Sequence, residues 1–395
     1  MAKRNTNTEY ILAAIPPQYP ISYQRLQLFG LSTIFLNRNN HWMKKILKKK
    51  KPSKWPKIIG ILFLLLVVGA LFGLWILKGP STSFNGNYQT FVLTDEDIQQ
   101  QRVVDIMKEK DVVSYPFICS IIGSRMHIWD KLKPGKYRVE HGQNLISILR
   151  MLRNHKQMPV NLVINRLRTK EDLAHLIGKN FSTDSIAVIN FLSSEDALKK
   201  YGVDGNTVFT ILMPDTYTFY WNTPIDKIFD KLYEAHEQFW SKNNRKDKAA
   251  GLGITTQQVH TLASIVEEET NYDPEKGKIA SVYWNRLKKG MYLGADPTIK
   301  YALKDFGLRR ILYGHLKVVS PYNTYKNKGL PPGPICTPTA KTIDDVLNMP
   351  RTDYLFFVAS SEFNGTHHFS SNYAEHMQYA KAYQQKLDIY LANKH

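Results

Sequence analysis

Three consecutive glutamates, Glu267, Glu268 and Glu269, close a helical pattern that begins near Thr256. A step of 100° per residue places five apolar side chains on one arc of that helix: Val259, Leu262, Ala263, Ile265 and Val266. Glu267 falls at the margin of the arc and Glu268 faces away from it. Glu269 lies inside the arc, so the pattern singles it out as a carboxyl group held against an apolar face.

The chemistry expected of such a carboxyl group is general acid catalysis. Burial against apolar side chains removes hydration and raises the pKa of Glu269, and we expect the charges of Glu267 and Glu268 to raise it further. A carboxylic acid that is still protonated near neutral pH can donate a proton to a leaving group. The alternative is a frayed last helical turn that leaves Glu269 in water.

Other common catalytic patterns are missing from the sequence. It has no Walker loop, no G-x-S-x-G, no H-E-x-x-H and no C-x-x-C. Cys119 and Cys336 are too few for a disulfide scaffold, and we interpret both as buried apolar residues. The sequence therefore predicts no metal and no cofactor.

The net charge of +19 is concentrated at the N-terminus. Residues 1–57 hold 12 Lys and Arg and a single acid, Glu9. Residues 58–77 follow with no charge, and twenty helical residues span about 30 Å, the thickness of a bilayer core. The positive-inside rule places the N-terminus in the cytoplasm and the residues after Leu77 outside.

A cleaved signal peptide and a nucleic-acid-binding segment fit the basic N-terminus less well than a membrane anchor does. A signal peptide would have a shorter apolar stretch and a small-residue cleavage site, which residues 78–81 lack. Nucleic-acid binding is not predicted, because the lysines adjoin the apolar span and lack interleaved aromatic residues. We also hypothesise that Met43 is the true initiator and that 1–42 is not translated, which N-terminal sequencing of the native protein tests.

The rest of the chain predicts an α+β fold in three parts. Residues 78–159 show a strand at 90–93, a helix over 95–110 capped by Thr94, a strand near 133–139 and a helix opened by 141–144. We interpret this part as a LysM-like strand–helix–helix–strand module that binds glycan. A spacer without binding activity fits the pattern equally well.

Residues 160–250 form an intermediate module. It has a strand at 160–164, a helix capped by Thr169 and an aromatic loop or edge strand at 213–219. A helix over 224–244 leads to a lysine- and glycine-rich break at 245–253, where we place a boundary.

The predicted catalytic domain, residues 251–395, ends in a hairpin and a helix. The hairpin pairs 354–359 with 366–369 around Asn364-Gly365, and the helix starts near Asn372.

Residues 262–270, LASIVEEET, resemble the active-site helix of the YceG-like family of endolytic murein transglycosylases. Four further segments resemble family motifs in the same order: ASVYWNRL at 280–287, ADPTIKY at 295–301, YNTY at 322–325 and GLPPGPI at 329–335. Residues 166–168, RLR, depart from the acidic-glycine turn that the family often has there. The resemblance implies that Glu269 is the catalytic glutamate.

The resemblance also implies the reaction and its setting. The bond cleaved would be the β-1,4 bond between N-acetylmuramic acid and N-acetylglucosamine within peptidoglycan strands, without water, leaving 1,6-anhydro ends and terminating nascent strands. The implied location is the bacterial inner membrane, among its lipids and beside peptidoglycan synthases.

Five further residues of these motifs are expected to hydrogen-bond to sugars or stack on them: Asn285, Asp296, Tyr322, Asn323 and Tyr325. Asp296 precedes a proline and has a turn-forming role as its alternative. For the whole protein, two other functions stay open: an inactive membrane-anchored glycan-binding scaffold, and a hydrolase of lysozyme type.

Overall fold

The computed structural model describes residues 53–393. Its strands are β1 (Tyr88–Leu93), β2 (Gly135–Glu140), β3 (Pro159–Ile164), β4 (Asp215–Tyr220), β5 (Phe356–Ala359) and β6 (His367–Ser370). Its helices are α1 (Trp55–Lys78), α2 (Gln100–Glu109), α3 (Pro116–Arg125), α4 (Leu145–Arg153), α5 (Lys170–Asn180), α6 (Ser185–Ser193), α7 (Glu195–Lys199), α8 (Ile225–Ser241), α9 (Arg245–Leu252), α10 (Thr256–Glu269), α11 (Asp273–Lys288), α12 (Asp296–Leu303), α13 (Ala340–Leu347) and α14 (Tyr373–Ala392). The mixed helix and strand content confirms the α+β class.

Helix α1 contains the predicted membrane-spanning segment. It is the one helix of residues 53–393 that is long and apolar enough to cross a membrane, with a mean hydropathy of 2.8. Its large apolar side chains, such as Leu64 and Phe72, are exposed rather than packed into a core. Met43 and most of the basic segment lie outside the described residues.

The first module after α1 runs β1–α2–α3–β2 and is followed by α4. Strands β1 and β2 pair antiparallel, from Tyr88 opposite Glu140 to Leu93 opposite Gly135. The sequence did not predict α3, because PFICSIIGSR carries apolar residues all around the helix and gives no amphipathic stripe.

Helix α2 begins at Gln100, five residues later than predicted. The carboxylate of Asp97 accepts hydrogen bonds from the backbone N–H and the hydroxyl of Thr94, at 3.0 and 2.8 Å. Thr94 was expected to cap the helix, but it donates to a turn that precedes it. This turn holds residues 94–99 out of the helix.

The second module packs α5 to α8 around the β3–β4 pair. Its strands run antiparallel from Pro159 opposite Tyr220 to Ile164 opposite Asp215, so the ambiguous aromatic segment is a strand. The predicted cap of α5 is confirmed, since Thr169 and Asp172 form a reciprocal capping box.

The lysine- and glycine-rich segment at 245–253, where we place a boundary, contains helix α9 (Arg245–Leu252). The nearly buried guanidinium of Arg245 donates to both carboxylate oxygens of Asp344 at 2.7 Å, which fixes the first residue of α9 against α13. Gly253 ends α9 with a φ of 74°, a left-handed conformation that suits glycine.

The predicted C-terminal hairpin and helix are present. Strands β5 and β6 pair antiparallel, with Phe357 opposite Phe369, and Asn372 caps α14 through the backbone N–H of Glu375. Helix α10, which carries the three glutamates, starts from a capping box between Thr255 and Gln258.

Candidate active site

Glu267 is the most deeply buried of the three glutamates, with 2% of the residue exposed. Its carboxylate accepts from Arg166 at 2.9 Å, from Lys276 at 3.2 Å and from the hydroxyls of Thr339 and Thr342. These donors come from the loop after β3, from α11 and from the start of α13. The charge is thus paired and hydrogen-bonded as burial requires, and it fixes the end of α10.

Glu268 was expected to face solvent, but it is paired as well. Both its oxygens accept from Arg168, at 3.0 and 3.1 Å, and the Arg168 guanidinium lies 5.1 Å from the ring centre of Phe306. We call Arg166, Arg168, Glu267 and Glu268 the arginine clasp. The clasp joins the segment between β3 and α5 to the last turn of α10.

Glu269 lines a cleft of about 200 Å³ at the end of α10, together with Arg166, Arg168, Lys300 and Phe306. Burial raises the pKa of Glu269 to about 7, opposed by a hydrogen bond from the Tyr283 hydroxyl. The last turn of α10 is held by the clasp and does not fray. The direction of this shift agrees with the raised pKa that the sequence predicts for Glu269.

The like charge that raises the pKa of Glu269 comes from Asp296, whereas we expected it from Glu267 and Glu268. The two neighbours on α10 are neutralised by Arg166, Lys276 and Arg168. Opposite charges on Arg286 and Lys300 lower the pKa of Glu269 in part. The local electrostatics thus come from other helices and not from the glutamate run itself.

Asp296 and Tyr325 lie together, because two loops are tied by buried threonines. The Ala295 N–H donates to the Thr324 hydroxyl at 3.0 Å, and the hydroxyls of Thr298 and Thr324 lie 2.9 Å apart. The Tyr325 hydroxyl donates to the carboxylate of Asp296. Asp296 is also the first residue of α12 and is followed by a proline. It therefore lies at a turn, as the alternative predicted, and is also close to Glu269.

Asn285 and Asn323 lie outside the cleft wall. The Asn285 amide donates to the backbone carbonyls of Thr352 and Tyr354, at 2.9 and 3.0 Å. The fully buried Asn323 donates to the carbonyls of Leu316 and Val318, at 3.0 and 2.8 Å. Both amides therefore brace loops that surround the cleft.

Tyr322 is buried against Tyr301, with ring centres 4.6 Å apart. Like the two asparagines, it does not line the cleft beside Glu269. Of the five expected sugar contacts, the structure gathers only Asp296 and Tyr325 near Glu269.

Three residues of the site were not predicted from the sequence. Tyr283 holds the Glu269 carboxyl, and Lys300 lines the cleft. The buried Arg286 donates to the carbonyl of Leu355 at 2.7 Å, and burial lowers its pKa. Each belongs to a family-like motif, but the motif gives no sign of which side chain would turn toward Glu269.

A larger groove of about 630 Å³ lies at the other end of α10. It is lined by Thr255, Gln258, Trp284, Lys288 and the loop 329–332. Because no carboxyl group of the described residues lines it, we place the acid chemistry in the smaller cleft at Glu269.

Comparison with known proteins places these features in a family. A profile of the YceG-like family matches residues 93–382. The chain is 38% identical over 181 residues to an endolytic murein transglycosylase of Bacillus subtilis, an alignment that covers 44% of this chain and 47% of that protein. It is 25% identical over 349 residues to a protein of the same name from Streptococcus pneumoniae, covering 79% of this chain and 62% of the relative.

A crystal structure of a yceG-like protein from Listeria monocytogenes is also similar. It has a TM-score of 0.51 and 27% sequence identity, and the match covers 74% of this chain and 98% of that one. The chain spans about half the length of the Bacillus protein and less than two thirds of the Streptococcus protein.

Proposed function

Because the chain belongs to the YceG-like family, we propose that it is a membrane-anchored endolytic peptidoglycan transglycosylase. The observation that carries the proposal is the half-buried carboxyl group of Glu269, which lines a cleft and whose pKa is raised to about 7. Two similar proteins that carry the name endolytic murein transglycosylase support the choice of substrate.

The proposed reaction uses Glu269 twice. Its proton passes to the glycosidic oxygen as the bond between that oxygen and C1 of N-acetylmuramic acid breaks, which leaves an oxocarbenium-like centre. The carboxylate then accepts the proton of the muramoyl 6-hydroxyl, whose oxygen bonds to C1 and closes the 1,6-anhydro ring. No water is consumed, and Glu269 ends the cycle protonated.

Other residues of the site have proposed supporting roles. Asp296 and Tyr325, close to Glu269, are proposed to hydrogen-bond to the sugar on one side of the scissile bond. Asn285, Tyr322 and Asn323 are proposed to act on the substrate indirectly, by bracing the loops that carry these contacts. Lys300 stabilises the Glu269 carboxylate after proton donation, because its charge lowers the pKa of that group.

The nature of the products tests the proposal. We expect the full chain to release fragments with 1,6-anhydromuramoyl ends from purified peptidoglycan, seen by mass spectrometry as a loss of water relative to reducing ends. The Asp296 carboxylate near Glu269 keeps a two-carboxylate hydrolase as the second candidate. Reducing ends in place of anhydro ends would establish hydrolysis, and the absence of any release would favour a glycan-binding scaffold.

The pH dependence of the reaction should report on Tyr283. Only protonated Glu269 can donate, so we expect activity to fall as pH rises through about 7. The Tyr283 hydrogen bond lowers the pKa of Glu269, so the variant Tyr283→Phe should move this alkaline limb upward by about one pH unit. The measurement is the pH profile of anhydro-product release.

Tyr220→Phe is the matched control for that measurement. Tyr220 is an exposed residue of β4, and its loss should leave the profile unchanged. An alkaline limb that stays in place in Tyr283→Phe would contradict the assigned role of the tyrosine hydroxyl.

We further propose that α1 anchors the protein in the bacterial inner membrane, with the N-terminus in the cytoplasm and residues 79–393 outside. The asymmetry of the basic residues around the apolar helix supports this orientation. Protease added outside spheroplasts should digest residues 79–393, and their protection would reverse the topology. The proposed neighbours are membrane lipids and peptidoglycan synthases, and recovery of such a synthase by cross-linking in cells would test the latter.

A further inference from the structure

The module between α1 and β3 has a strongly uneven charge distribution. Residues 131–156 hold seven Lys and Arg and one acid, Glu140, whereas residues 94–130 hold four bases and seven acids. The bases of the first segment are exposed, except for the half-buried Lys136. One part of a small module is thus strongly cationic, while the module as a whole is nearly balanced.

Three of these bases, Arg138, Arg150 and Lys156, line a groove of about 760 Å³ between β2, α4 and the start of β3. We call it the basic groove, and its polar lining also includes Glu140, His141 and Gln143. Met151, Met158 and Pro159 line the same groove. A ligand that suits it has an anionic end and an apolar part.

Two of these cations are free to bind a ligand. Arg138 forms an ion pair with Glu140 at 2.8 Å and stacks on Tyr88, at 3.9 Å from the ring centre. Within the described part of the chain, Arg150 and Lys156 have no side-chain partner, and both are exposed. A phosphate group between them would meet a guanidinium and an ammonium group, the usual phosphate ligands in proteins.

The rim of the groove is tied to the end of the apolar helix. The Ser81 N–H donates to the carbonyl of Gln143 at 3.1 Å, and the Gly142 N–H donates to the hydroxyl of Thr82 at 2.9 Å. Helix α1 ends at Lys78, and three residues of chain reach at most about 10 Å. The basic groove therefore lies close to the point where the chain leaves the apolar segment.

From this placement we propose that the basic groove binds the phosphate headgroup of an anionic lipid in the outer leaflet of the membrane. Arg150 and Lys156 pair with the phosphate, and the half-buried Met158 side chain contacts the glycerol and the first acyl carbons. The inference rests on the membrane anchoring proposed above. It gives the module a function distinct from glycan binding, since it holds the module on the bilayer surface.

A phosphate-rich wall polymer carries the same charge and is the main competing ligand. The hydrogen bonds from residues 81 and 142 favour the lipid, because they keep the rim of the groove within about 10 Å of the end of α1. The mixed lining also favours an amphiphile, because a soluble polyanion has no apolar group to place against Met158.

The test uses the full chain in nanodiscs of phosphatidylcholine, with or without about 30 mol % phosphatidylglycerol. Amide hydrogen exchange over residues 141–154 should be several-fold slower in the anionic discs. The variant R150Q/K156Q should lose this protection, since each cation near an anionic surface contributes about fivefold to association. Raising the salt concentration to about 0.5 M should also remove it in the wild type.

A matched variant controls for charge alone. K179Q/K242Q removes two lysines from other parts of the chain and should retain the lipid-dependent protection. Thermal unfolding of both variants, expected to match the wild type, shows that they are folded.

Three results would overturn the lipid assignment. These are equal exchange in both kinds of disc, equal protection by poly(glycerol phosphate) added to phosphatidylcholine discs, or equal protection by millimolar inorganic phosphate. The same preparation is assayed for peptidoglycan digestion. Protection without digestion would contradict the proposed reaction alone, whereas digestion without protection would contradict the lipid assignment alone.

Discussion

Replacing Glu269 with glutamine should reduce the release of anhydro products from peptidoglycan by about a hundred- to ten-thousandfold. The amide has nearly the shape of the acid but cannot transfer a proton to the glycosidic oxygen. Glu268, the other carboxylate that lines the cleft, is paired with Arg168, so we do not expect it to replace Glu269 as the proton donor. The measurement is quantitative mass spectrometry of digests by wild type and variant.

The same variant should also differ from the wild type in thermal stability. The pKa of Glu269 in the folded protein lies above its ordinary value of 4.5, so the folded state holds this proton more tightly than the unfolded state. The stability contributed by this group is present below about 4.5 and is lost as pH rises through about 7. Glu269→Gln should therefore unfold at a slightly higher temperature than wild type above pH 7.

Glu234→Gln is the control for both measurements. Glu234 is an α8 residue that accepts from Gln238, and its neutralisation should change neither product release nor the melting temperature. Substantial anhydro-product release by Glu269→Gln would remove Glu269 from its assigned role, whatever its effect on stability.

The largest effect on stability should come from Glu267→Ala. Glu267 and Lys276 have side chains only 2% and 4% exposed, so removing the carboxylate takes from a buried ammonium group its one buried acidic partner and leaves only the half-exposed Asp273. Breaking a buried ion pair in this way destabilises a protein by about 3–5 kcal/mol. Thermal unfolding of the full chain should show a midpoint roughly 10 °C lower.

Glu268→Ala is the natural comparison, since it removes a carboxylate one residue away on the same helix. Glu268 is more exposed, at 14%, and its partner Arg168 is 30% exposed and can turn toward water. We expect a loss of about 1 kcal/mol or less for this variant. Similar midpoints for the two variants would show that the burial of Glu267 does not govern the stability of the clasp.

The sequence predicted those parts of the site that depend on neighbours along the chain. The helical pattern that begins near Thr256 and the apolar arc predicted the start and the buried face of α10, and the arc placed Glu269 beside apolar neighbours. Both signals arise within one helix, so a 100° step suffices to read them.

The ion-pair partners of Glu267 and Glu268 could not be predicted in the same way. Arg166 lies 101 residues from Glu267, and Thr342 lies 75 residues away in the other direction. A helical projection distinguishes the faces of a helix only by their apolar content. A polar face that pairs with arginines distant in sequence therefore has the same pattern as a polar face exposed to solvent. For the same reason, the charge that acts on Glu269 was assigned to its neighbours instead of to Asp296.

The amide side chains illustrate a different limit. Asn285 and Asn323 belong to distinctive motifs, which made them natural candidates for sugar contacts. Their hydrogen bonds to backbone carbonyls at Thr352, Tyr354, Leu316 and Val318 show why a motif can be specific without touching a ligand. A loop of irregular shape needs fixed donors as much as a substrate does.

The arginine clasp also limits which segments of the chain can be exchanged by recombination. Arg166 and Arg168 lie ahead of α5, whereas their carboxylate partners lie at the end of α10, about a hundred residues later. A recombination event that exchanged only the region after residue 250 would separate Arg166 and Arg168 from Glu267 and Glu268. The buried Glu267 would then lack the ion pair with Arg166. An exchanged segment therefore keeps the clasp only if it includes both the loop after β3 and helix α10.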